Sequence, residues 1–123
     1  MDHVLDNPVW NALISGNQSL SFGTKTIKYF SDDVAPFVGF KEYTFENFNI
    51  LYNQIKDGRR CAVVSANEIV FPDSWKIIEH LNVLQMVYTS PSVTFVDNKN
   101  IVSLEDLNTE EMIQLTQLTH PGP

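Results

Sequence analysis

Cys61, His3, His80 and His120 are the side chains in this sequence best suited to nucleophilic or metal chemistry. A thiolate nucleophile needs an activating neighbour, and a structural metal site announces itself by short, regular ligand spacing. Here the histidines are scattered and Cys61 has no sequence-near partner. Cys61 also opens the apolar run Cys61-Ala62-Val63-Val64, a setting in which buried thiols are inert. Arg59-Arg60 is the one adjacent basic pair and could hold an anion such as a coenzyme phosphate; a solvated loop pair is the simpler reading. Trp10 could stack on a ligand, and Gln85 could reach from an apolar strand into a site. Their neighbours favour a core ring for Trp10 and an amide satisfied by backbone partners for Gln85. Asp32-Asp33 reads as a turn. No catalytic, cofactor-binding or metal-ligating residue is assigned from these patterns.

The elements that would position these residues can be read from periodicity and punctuation. Asn7 is expected to cap a helix that begins with Pro8 and carries Val9, Trp10, Leu13 and Ile14 on one stripe. A short helical piece is expected over residues 18–22. Residues 26–30, rich in β-branched and aromatic side chains, predict a strand, and Ser31-Asp32-Asp33 a turn. Residues 34–40 are expected to be extended, with Pro36 marking an edge or an irregular strand. Thr44 then caps a helix to about Lys56, on which Phe45, Phe48, Leu51, Tyr52 and Ile55 recur at three and four. Residues 61–64 suit a buried central strand, and residues 68–71 a further strand. Residues 75–89 read as a hairpin bent at Leu81-Asn82, with a single helix as the alternative. Residues 93–96 and 101–104 are expected to be extended, on either side of a polar turn at 97–100. Asn108 caps a final helix bearing Met112, Leu115 and Leu118, with Glu111 completing a box.

These elements predict an α+β fold: a small, mainly antiparallel sheet covered by three or so helices, near Val9–Ile14, Phe45–Ile55 and Thr109–Thr119. A chain of 123 residues can bury roughly two thirds of its unfolded surface, which is enough for a core. Its formal charge of −7 and its lack of a basic run argue against nucleic acid and anionic membrane surfaces as partners. One cysteine excludes an internal disulfide and suits a reducing compartment. The acidic start has no signal-like apolar stretch, and no apolar run approaches the ~20 residues of a bilayer span. The expected location is the cytoplasm.

Several landmarks recur in order. The chain opens with Asp6-Asn7-Pro8-Val9-Trp10-Asn11-Ala12-Leu13. Pro36-Phe37 and Gln85-Met86-Val87 follow. It closes with Leu104, Asp106, Glu111-Met112, Leu115, Leu118-Thr119 and Pro121-Gly122-Pro123. As a set these resemble the N-terminal region of a bacterial group within the GNAT superfamily of N-acetyltransferases. In that group a poorly characterised domain precedes the acetyltransferase core.

The resemblance implies an accessory α/β domain over residues 1–95. It also implies that residues 96–123 are the opening strand and helix of a degenerate GNAT-like core. The family transfers acetyl from acetyl-coenzyme A to an amine, and grips the pyrophosphate with a Gln/Arg-x-x-Gly-x-Gly/Ala loop before a helix. Glycines are needed there so that backbone amides can approach the phosphate. Here Gly16, Gly23, Gly39, Gly58 and Gly122 include no suitable pair, and residues 54–60 match the loop out of register with Arg60 at a small-residue position. A Walker-type loop is absent as well. The expectation is an accessory part that is inactive alone and holds no cofactor, acetyl-coenzyme A belonging to a full-length relative. Its partner would be a GNAT catalytic core in cis. The alternative expectation is a stand-alone, non-catalytic interaction or dimerisation module that self-associates.

Overall fold

The computed structural model describes residues 3–92 and 98–120. The chain divides into two compact units, Met1–Leu81 and Asn82–Pro123. The first is an α+β unit containing a four-stranded sheet.

In this first unit α1 spans Pro8–Leu13 and α2 spans Phe45–Gln54. The strands are β1 (Phe22–Gly23), β2 (Ile27–Tyr29), β3 (Phe37–Phe40) and β4 (Ala62–Val63), hydrogen-bonded in that order. β1 pairs with β2 and β2 with β3, both antiparallel; β4 runs parallel to β3. The sheet is thus mainly antiparallel. Gly23, at φ 116°, takes a conformation that an L side chain resists, and a Cβ there would strike the Ile27 carbonyl.

Side-chain alternation along β3 divides the helices between two faces. Val38 and Phe40 point into a cluster with Ile27, Phe48 and Leu51, so α2 covers that face. The Phe48 ring centre lies 4.5 Å from that of Phe40, 5.2 Å from Phe71 and 6.0 Å from Trp75. Burying a side chain such as Phe48 contributes about 2–3 kcal/mol. Gly39 faces the other way, where the backbone of α1 crosses it. Leu13 is fully buried on α1, outside the α2 cluster.

α2 forms as its sequence predicts. Thr44 accepts a hydrogen bond from the Asn47 amide, and Phe48 and Leu51 turn inward. Gln18–Leu20 is a short 3-10 turn. Other expectations are corrected. Asn7 stands before α1 but makes no capping bond; its side chain reaches Phe40 and Tyr43 instead. Residues 61–64 give only the two-residue β4, which is an edge strand rather than a central one. Residues 68–71 form no strand, although Ile69 and Phe71 pack against the core from irregular backbone. Residues 75–89 form neither a hairpin nor a helix.

In the second unit α3 spans Thr109–Thr119, preceded by a 3-10 turn at Asp106–Asn108. The expected capping box shifts by one turn. Asn108 does not cap α3; its Oδ1 accepts from the Glu105 amide at 2.9 Å, and Glu105 caps the turn. His120 closes the helix at φ 44°. Residues 101–104 form no strand. The expected strand at 93–96 lies outside the described residues. Among the described residues of this unit none is buried.

Candidate functional site

An open cleft of about 900 Å³ lies in the first unit. Its walls are His3 and the 3-10 turn Val4–Asp6, the first turns of α1, Tyr43, and residues 65–68. Polar groups face it from His3, Asp6, Asn7, Asn11, Tyr43, Ser65, Asn67 and Glu68, and Trp10 supplies its aromatic part.

Most of these groups are committed to holding the chain. The Asn7 Nδ2 donates to the Phe40 carbonyl at 2.7 Å, which fixes the orientation of the amide. The Tyr43 hydroxyl lies 2.8 Å from the Val64 carbonyl and 3.2 Å from Asn7 Oδ1. One hydroxyl hydrogen serves both acceptors, and the shorter contact takes the larger share. Tyr43 thereby ties the entry to α1 to the end of β4. Burial raises its phenol above the ordinary value of 10.0, an effect partly offset by a hydrogen bond with Ser65. His3 Nδ1 accepts from the Leu5 amide at 3.1 Å, and the His3 amide donates to Asp6 Oδ2 at 2.7 Å. Asn11 Nδ2 donates to the Val4 carbonyl at 2.8 Å. The cleft can offer hydrogen bonds to a polar molecule.

Arg59 departs from the solvated loop pair expected of Arg59-Arg60. Its side chain is only 6% exposed. Nη2 donates to the Phe30 carbonyl at 2.6 Å, and the guanidinium sits 5.4 Å from the centre of the Tyr29 ring. Nε lies 2.6 Å from Asp32 Oδ1, an ion pair at an angle that falls short of a hydrogen bond. Asp32 is therefore more than a turn residue. Arg60 is exposed. Cys61 is half-buried, and burial pushes its thiol above the ordinary 9.0; Arg59 draws it back and Asp32 adds to the rise. A raised thiol carries less thiolate at neutral pH.

Residues 54–60, which match the pyrophosphate loop out of register, run from the end of α2 through a turn. Gly58 has a positive φ of 77°, but it stands alone in a turn, and the neighbouring Arg59 is spent on internal partners. Trp10 is half-buried rather than fully in the core, and Gln85 is exposed. Among the described residues no group of three His, Cys, Asp or Glu side chains converges to hold a metal ion. No helix among them is long and apolar enough to cross a membrane.

The Asn7–Tyr43 and Arg59–Asp32 links are the polar relationships that sequence reasoning missed. Each joins residues distant in the chain, and only opposite charge hinted at the second.

No protein-family model, no curated protein and no solved structure matches this chain.

Proposed function

We propose that this chain is the non-catalytic accessory part of a GNAT-type N-acetyltransferase, in which a catalytic core covers the segment from Ile101 to Thr119. One observation carries the reading. Ile101, Val102, Leu104, Leu107, Leu115 and Leu118 are all exposed, in a unit that has no buried residue among those described. A stripe of that kind is ordinarily covered by another folded body. The ordered landmarks from Asp6 to Glu111 and Leu118 support an acetyltransferase core as that body.

On this reading acetyl-coenzyme A and the amine bind to the core, and the first unit packs beside it. The protein works in the cytoplasm, where Cys61 stays a thiol. Neither the cleft at Tyr43 nor the Arg59 cluster takes part in acyl transfer.

The reading frame beyond codon 123 tests this. It is expected to encode a Gln/Arg-x-x-Gly-x-Gly/Ala loop ahead of a helix. Acetyl-coenzyme A should raise the melting temperature of the joined polypeptide and leave that of this chain unchanged. A frame without such a loop, or a saturable rise with this chain alone, overturns the proposal.

A further inference from the structure

Asp57-Gly58 is the one place in this sequence where an aspartate or asparagine precedes glycine. The pair forms the tip of a turn just after α2, closed by the Arg59 amide donating to the Lys56 carbonyl at 3.2 Å. Both residues are exposed. Among the described residues neither the Asp57 carboxylate nor the Gly58 amide has a hydrogen-bond partner. No group from elsewhere in the chain lies within 4 Å of where a Cβ on Gly58 would stand. The Gly58 nitrogen is therefore free of crowding both from its own residue and from the surroundings.

A second turn supplies the comparison. The Trp75 amide donates to the Pro72 carbonyl at 2.9 Å, and exposed Asp73 and Ser74 form its tip. Asp73 thus holds the same place in its turn as Asp57, but the nitrogen that follows it belongs to a residue with a side chain.

We propose that Asp57 is a site of spontaneous isomerisation to isoaspartate, and that the isomerised linkage loosens the anchor made by Arg59. The Gly58 nitrogen bonds to Asp57 Cγ. The carboxyl C–O bond breaks, and its hydroxyl leaves with the amide proton as water. Water then adds to one of the two carbonyls of the five-membered imide. Breaking the nitrogen–Cγ bond restores aspartate; breaking the nitrogen bond to the main-chain carbonyl leaves isoaspartate, with the main chain routed through Cβ and longer by one carbon.

That extra carbon falls in a short span. α2 ends at Gln54, and the guanidinium of Arg59 is held at the Phe30 carbonyl and Asp32. Only residues 55–58 lie between, and Ile55 packs against the core. The longer link displaces Arg59 and weakens its hydrogen bond. The site uses nothing from residues 101–119, so it is independent of the function proposed above.

The full chain, held for weeks at neutral pH below its melting temperature, tests this. Mass spectrometry of its peptides, with fragmentation that distinguishes the two linkages, should find a form lighter by one water and then isoaspartate at Asp57. Both should accumulate several-fold faster than at Asp73. The melting temperature should fall as the isomerised fraction grows. Asp57→Glu keeps the charge at an exposed position but would need a six-membered ring to react. It should start at the wild-type melting temperature and keep it through the same incubation. Absence of isoaspartate at Asp57, equal rates at Asp57 and Asp73, an isomerised wild type that melts as the fresh protein does, or an equal decline in Asp57→Glu would each overturn the proposal.

Discussion

The backbone of Trp10 crosses Gly39 so closely that a methyl group built on Gly39 would lie 2.7 Å from both the Trp10 nitrogen and Cα. This contact lets α1 lie flat on the sheet and brings Asn7 within reach of Phe40 and Tyr43. It therefore sets the position of one wall of the cleft.

Gly39→Ala must push α1 away from β3. The obstacle is backbone rather than a flexible side-chain end, so the strain cannot be relieved locally. A loss of about 1–3 kcal/mol is expected, as for other overpacked sites. Urea denaturation of the variant checks this, and an unchanged midpoint would contradict the packing described.

Tyr43→Phe removes the hydroxyl that joins Val64 to Asn7. The loss should be about 1–2 kcal/mol, because two partly buried acceptors lose their donor. The variant also separates two contributions to alkaline sensitivity. Tyr43 and Cys61 both titrate higher in the folded protein than their ordinary 10.0 and 9.0. The folded state then holds its protons more tightly than the unfolded one. The associated stability is complete below pH 9, and is lost as pH rises through the two folded values. Urea midpoints measured from pH 8 upward should fall, beginning with the Cys61 contribution. Cys61→Ala should remove the early part of that decline and Tyr43→Phe the later part.

Arg59→Lys should behave as a damaging change despite keeping the charge. A lysine has no planar fork to span the Phe30 carbonyl and Asp32 while lying against Tyr29. The expected cost is about 1–2 kcal/mol, mostly the lost hydrogen bond and packing, because Asp32 is 61% exposed and water can solvate it. Thermal melts of Arg59→Lys beside Arg60→Lys check this; the exposed Arg60 should tolerate the change.

Local signals in the sequence were legible where a single element carried them. Thr44 with Phe48 and Leu51 specifies a start and a buried face, and α2 follows. Pro8 likewise opens α1. Ile69 and Phe71 misled because their apolar character expresses burial against Phe48 from a loop, and burial alone does not define a strand. Residues 75–89 have strand-forming side chains without a strand, since pairing depends on a partner that local propensity does not supply. Asn108 resembled a helix cap, but Glu105 offered its own amide one turn earlier. The cleft was not legible at all. Its walls come from residues 3–11, Tyr43 and residues 65–68, which meet where α1 crosses Gly39 and where Tyr43 links Asn7 to Val64.

Hydrogen exchange read by mass spectrometry on the dilute chain tests most directly whether the second unit depends on another body. Amides of Ile27–Tyr29, Phe37–Phe40 and Phe48–Gln54 should be strongly protected, while those from Ile101 to Thr119 should exchange almost as fast as an unfolded peptide. Slow exchange throughout α3 in the dilute chain would show a segment stable without cover, and would contradict the accessory role proposed for it.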